Sequence, residues 1–220
     1  MHILPIFPLS TVLFPGSEIG VYAFERRYIQ LVRRCHHSRS NFAIALIRKG
    51  HESGGPLPEP YLTVTEGRIL KYDQKPNGEI DLRLRGEQRV RIRKFLPGEP
   101  YLVAEVEPLA LDWPPGFDPA QVARLIPWMR AYFTQLTRLP YADALKLGQL
   151  DLPDDPEKLL FRAASLLVVK NSELQRWLEI ESAPELMADL LHVLRIEVTV
   201  QAVSAKFPLG EKSEKLAKNC

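Results

Sequence analysis

The sequence predicts an α+β protein, a small mixed β-barrel with one helix inserted early and a helical bundle after it. Three observations predict it. Up to about residue 108, short apolar runs alternate between turn signals, the pattern of strands with one face buried. One early segment in that half shifts to a helical period. Beyond residue 117 the strand pattern stops, and Asp118-Pro119 and Asp155-Pro156 each open a helical run, with aspartate as the cap and proline at the first helical position.

Ile3 to Phe14 is apolar, interrupted by Pro5 and Pro8, and closes on the turn Pro15-Gly16. Glu18 to Ala23 alternates as a strand. Phe24, Tyr28, Leu31 and Val32 then recur at i, i+4, i+7 and i+8, one face of a helix. Glu25, Arg26, Arg27, Arg33 and Arg34 cover its other faces. Phe42 to Ile47 is a short strand, and Leu62 to Leu70 is another beyond the loop Ser53-Gly54-Gly55-Pro56. Asn77-Gly78 marks a type I′ hairpin turn. Ile80 to Phe95 gives the clearest strand signal: Ile80, Leu82, Leu84, Val90 and Ile92 alternate with charged residues. After Pro97-Gly98, Tyr101 to Val106 makes a last strand.

In the second half, a helix is expected from Asp118 to about Arg138, disturbed at Pro127. A second runs from Pro156 to about Val169, and a third, short one passes through Leu174, Trp177 and Leu178. The last runs from Pro184 to about Ala205. Leu186, Met187, Leu190, Leu191, Val193, Leu194, Ile196 and Val198 leave it almost no polar face, so its neighbours should enclose it. The expected organisation is therefore 1–110 for the barrel, 111–117 for a Pro-rich linker around Trp113-Pro114-Pro115-Gly116, 118–206 for the helices and 207–220 for a flexible polar tail.

The 220 residues are enough for a proper core. A net charge of +2, split as +4 over residues 1–110 and −2 beyond, does not by itself imply a polyanion partner. The only cysteines, Cys35 and Cys220, make no disulfide framework. The apolar start has no basic region before it, and two prolines break it, so it does not read as a signal peptide. No stretch approaches the roughly 20 apolar residues of a membrane span. The expected location is the cytoplasm.

Several segments in order resemble one known family. Pro5-Ile6-Phe7-Pro8-Leu9 and Val12-Leu13-Phe14-Pro15-Gly16 resemble the opening of the Lon protease N-terminal domain. Phe24-Glu25-Arg26-Arg27-Tyr28 resembles its helix start, and Gly50-His51-Glu52 the motif after its third strand. Asn77-Gly78-Glu79 and Gly86-Glu87-Gln88-Arg89-Val90-Arg91-Ile92 resemble its hairpin, and Pro100 to Val106 its closing strand. The helical half resembles it more loosely, through Ser172-Glu173-Leu174-Gln175. The resemblance implies a PUA-like barrel, a helical bundle, and recognition of unfolded or tagged polypeptides. The ATPase and protease of Lon are not expected here, since no G-x-x-x-x-G-K-[ST] phosphate loop occurs.

No catalytic constellation stands out, so the chain reads as non-enzymatic and free of cofactors. Ser165 and Lys170 are close in sequence but outside any matching motif, and geometry decides such pairs. Cys35-His36-His37 lacks further ligands at metal spacing, so no metal is expected. Glu25 reads as a structural partner for a nearby arginine. Two candidate surfaces remain. Phe14, Pro15, Phe24, Tyr28 and Tyr101 are apolar residues that either form core or line a polypeptide groove. Arg83, Arg85, Arg89, Arg91 and Arg93 share one parity on the predicted hairpin and should all face water. They are either a binding face for acidic peptide or nucleic-acid phosphate, or a solvated strand face with Asp81, Glu87 and Glu105 as partners. The leading expectation is a polypeptide-binding module. The alternative is an RNA-binding PUA-like module using the arginine stripe, and an enzyme on the same barrel comes third.

Overall fold

The structure, a computed structural model, describes residues 1–97, 100–138 and 150–206, with side chains up to residue 200. Gly98, the expected tail 207–220 and Cys220 lie outside the described residues.

Seven strands form one mixed, mainly antiparallel sheet: β1 (His2–Leu9), β2 (Glu18–Ala23), β3 (Phe42–Lys49), β4 (Glu59–Pro60), β5 (Thr63–Gln74), β6 (Ile80–Leu96) and β7 (Leu102–Pro108). Helix α1 (Arg26–Ser38) is inserted between β2 and β3. The strand order is β1-β7-β6-β5-β3-β4, with β2 on β6. β1 also pairs with β3 in parallel, so the path returns to the strand it left.

β1 and β3 feed alternate residues to two clusters on opposite faces. Phe7, Leu9, Phe42 and Ile44 join Tyr28, Leu31, Val32 and Cys35 beneath α1. Leu4, Ile6, Ala43 and Ala45 join Val64, Val90, Ile92, Ala104 and Val106 on the other face. β6 changes sides along its length: Leu82 and Leu84 belong to the first cluster, Val90 and Ile92 to the second. Its pairing with β5 passes from Gly67 opposite Gly86 to Glu66 opposite Gln88, so Glu87 is an extra residue. One inserted residue swaps every following side chain to the other face.

The helices are α2 (Ile126–Leu136), α3 (Pro156–Leu166), α4 (Asn171–Glu179) and α5 (Ala183–Lys206). The single helix expected from Asp118 begins instead as a 3-10 segment, Pro119–Leu125, and becomes α-helical at Ile126. Pro127 therefore sits in the first turn of α2, where its missing N–H costs nothing. Asp118 and Asp155 do cap: their carboxylates accept from Ala120 N at 2.9 Å and Lys158 N at 2.8 Å.

The helical core also takes in Val12, Phe14 and Leu46 from the sheet half. The segment after β7 is fastened to the start of α5. Asp112 N donates to Glu181 O, and Ala183 N to Asp112 O at 2.9 Å. Full enclosure of the last helix does not hold along its length. Leu186, Leu190 and Leu194 are buried, but Ile196 and Val200 are exposed. Among the described residues no helix is long and apolar enough to cross a membrane.

Candidate functional site

The arginine stripe is divided by the bulge. Arg83 and Arg85 lie before Glu87, and Arg89, Arg91 and Arg93 lie after it, so the two sets face opposite sides of the sheet. The expectation that all five face water fails at Arg89, which is 2% exposed. Its guanidinium donates to Leu178 O at 2.8 Å and Ile180 O at 2.5 Å, and its carbon lies 5.1 Å from the Phe161 ring centre. Burial pulls its pKa down to about 10, while Glu157 and Glu181 hold it up, so it is charged at neutral pH. Arg91 bridges to Glu181 at 2.6 Å, Arg93 pairs with Glu107, and Arg83 stands 3.8 Å from Glu18. Arg85 is exposed. Of the acids expected to face the stripe, Glu87 instead pairs with Arg68 and Asp81 with Lys75.

The five apolar candidates do not converge on one groove. Phe14, Tyr28 and Tyr101 are buried. Phe14 packs on Phe161, and Tyr28 stacks on Phe7 with ring centres 4.4 Å apart. Tyr101 accepts a hydrogen bond from Arg34 Nη1 at 3.0 Å. Pro15 is partly buried in a cleft between the sheet and α3. Phe24 is 48% exposed.

Phe24 borders a groove of about 1040 Å³ between α1 and the β5–β6 hairpin tip. One face of α1 is spent on the core through Tyr28, Leu31, Val32 and Cys35. Arg26, Ile29, Gln30, Arg33, His36 and His37 recur at helical spacing along another face and line the groove. The hairpin supplies Tyr72, Gln74, Asn77, Gly78 and Glu79 opposite. Two contacts hold the walls together. Arg33 Nη2 donates to Gly78 O at 3.3 Å, and His36 stacks on Tyr72 with ring centres 4.0 Å apart.

Among the described residues Glu79 is the only carboxylate in the lining, against Arg26 and Arg33. It is already engaged, because it accepts from the Tyr22 hydroxyl and from Asn77. The Tyr22 hydrogen bond holds it below the usual carboxylate range, with Asn77 adding to the effect. The groove therefore carries a surplus of positive charge over an apolar floor of Phe24, Ile29 and Tyr72.

Glu25 does partner an arginine, with its Oε2 2.9 Å from Arg27 Nη2, while Arg27 Nη1 donates to Gly55 O. The Ser165 hydroxyl donates to Arg162 O at 2.9 Å. Cys35 is buried, and burial pushes its thiol pKa up. His36 and His37 are exposed, so the three adjacent residues do not converge. Among the described residues no three of His, Cys, Asp and Glu are grouped to hold a metal ion.

The structure thus joins a sheet with one inserted helix to a helical half, with an open basic and apolar groove beside α1. The family model for the ATP-dependent protease La (LON) substrate-binding domain matches residues 3–195, and the chain belongs to that family. The structure is similar to a Lon N-terminal domain protein from Xanthomonas campestris (TM-score 0.61, 29% identity), over 87% of this chain and 98% of that one. It shares its fold with the N-terminal domain of a Mycobacterium avium complex Lon protease (TM-score 0.59, 16% identity), over 90% and 98% of the two chains. Lon protease 1 of Myxococcus xanthus is 21% identical over 96% of this chain. Lon protease of Syntrophus aciditrophicus is 33% identical over 50% of it. These matches span 26% and 15% of the two proteases.

Proposed function

We propose that the chain is a non-catalytic polypeptide-binding module that takes hold of unfolded or tagged protein segments, working in the cytoplasm. The observation that carries this reading is the match to a substrate-binding domain over residues 3–195. The α1–hairpin groove supports it, since an unfolded chain offers apolar side chains and backbone that an open, partly apolar groove can receive. The strand path that returns to β1 supports a PUA-like barrel, and the shared core of α2, α3 and α5 supports a bundle. The RNA reading has less support. It rested on an arginine stripe that is divided between two faces, with Arg89 buried and Arg83, Arg91 and Arg93 opposite carboxylates.

The test is fluorescence anisotropy of a labelled, permanently unfolded polypeptide titrated with the protein at physiological salt. Saturable binding in the micromolar range is expected, with single-stranded RNA failing to compete. A flat titration up to high micromolar protein would sink the reading.

A further inference from the structure

Arg26 and Arg33 of α1 are placed differently from most arginines of the sheet. Arg48, Arg68, Arg83, Arg91 and Arg93 each face a carboxylate. Arg26 and Arg33 make no ion pair among the described residues, and Arg33 touches only a carbonyl across the groove. Both are exposed, both line the groove, and the one carboxylate there is held by Tyr22 and Asn77.

Their spacing is informative. Seven residues apart, Arg26 and Arg33 lie about 10 Å apart along the helix axis, at about 1.5 Å per residue. An extended chain of polyproline type places residues i and i+3 on one side, about 9 Å apart. Two carboxylates at that interval can therefore meet both guanidinium groups at once, while apolar side chains between them reach Phe24 and Ile29. Arginine suits this role, because its planar fork takes a carboxylate in a bidentate pair.

We propose that the α1–hairpin groove selects acidic polypeptide segments with carboxylates three residues apart. The inference rests on reading the chain as a polypeptide-binding module, and it gives that module a chemical preference. Nucleic acid fits less well: the chain's net charge is only +2, and Tyr72 is already stacked on His36 rather than free to receive a base.

Two labelled unfolded polypeptides test it, one with Glu repeated every third residue among Leu and Phe, the other with Gln in place of each Glu. The Glu probe is expected to bind roughly tenfold more tightly at physiological salt, the sum of two exposed charge pairs of up to about 0.7 kcal/mol each. In Arg26→Glu/Arg33→Glu that preference disappears, whereas Arg83→Glu keeps it. The Arg26→Gln/Arg33→Gln pair repeats the test with less disturbance of α1, and thermal melts confirm that each variant is folded. Equal binding of both probes, unchanged by the groove variants, overturns the acidic preference and leaves the polypeptide-binding reading standing. Failure of both probes to bind folded protein removes both. Single-stranded RNA that binds more tightly than the Glu probe, and loses that affinity in the groove variants, overturns the proposal and reassigns the groove to phosphate polyanions.

Discussion

Gly86 illustrates how much one residue controls here. A Cβ on it would stand 2.3 Å from Phe14 O and 3.0 Å from Thr65 Cγ2, so the chain crossing over β6 can approach only where there is no side chain. The crossing is tied in place by Gly16 N donating to Gly86 O at 2.8 Å and Gly86 N to Ser17 O at 2.9 Å. Gly86→Ala is expected to cost roughly 1–3 kcal/mol, the range for forcing atoms into a packed site. A lowered urea midpoint at unchanged slope would show it. Arg89, three residues on, is the buried cation that joins the sheet to the carbonyls of Leu178 and Ile180. Arg89→Ala leaves both carbonyls without that donor and should cost about 2–3 kcal/mol. Arg89→Lys recovers only part of this, because an ammonium cannot reproduce the guanidinium fork. Wild-type stability in either variant, by urea titration, would mean that water replaces the side chain. The sequence shows Arg89 as one of five similar arginines. Its burial depends on the bulge at Glu87, which no local pattern announces.

At the scale of elements, the helix starts were legible because their chemistry is local. Asp118 and Asp155 cap where the Asp-Pro pairs placed them. Asp155→Ala should lower stability by about 1 kcal/mol, seen as a fall of roughly 2–4 °C in Tm. A change of less than half a degree would remove the cap from the argument. The contact of β6 with the start of α5 is tested by pH. Arg91 holds the Glu181 carboxyl below its usual range, first through their hydrogen bond and then through its charge. Folded protein therefore resists protonating Glu181 more than unfolded chain does. The stabilisation is complete above the ordinary carboxylate range, about pH 4–4.5, and is lost as pH falls below it. Glu181→Gln should thus lose less stability than wild type between pH 7 and pH 3.5, measured by urea titration at both. Parallel losses would show that the pair is screened by solvent. The 3-10 start before α2 was not legible: the cap and Pro119 fixed where the helix begins but not its first hydrogen-bond pattern.

Across the whole molecule, the two halves share a core. Val12, Phe14 and Leu46 of the sheet half pack among the helices, and Arg89, Gln175 and Glu181 add polar contacts across the junction. The halves are accordingly expected to unfold together. All three tryptophans, Trp113, Trp128 and Trp177, lie beyond the sheet, so their fluorescence reports the helical half while far-UV circular dichroism reports both. Coincident urea transitions by the two probes are the expected outcome. A dichroism change that continues after the fluorescence has finished would mean that the sheet stands alone.

The α+β class, the strands and their inserted helix, the helix caps and the family were readable in the residues alone, because they follow from periodicity, turn chemistry and motifs read within a few residues. So was the basic and apolar face of α1, since Arg26, Ile29, Arg33 and His37 recur at helical intervals. That the β5–β6 hairpin tip stands opposite that face and makes a groove of it emerges from the folded chain. So do the burial of Phe14, Tyr28 and Tyr101 in the core and the division of the arginine stripe between two faces. The physical reason is that a residue's exposure depends on what the distant chain places over it, and a single bulge reverses the faces of a strand without altering its alternation in sequence.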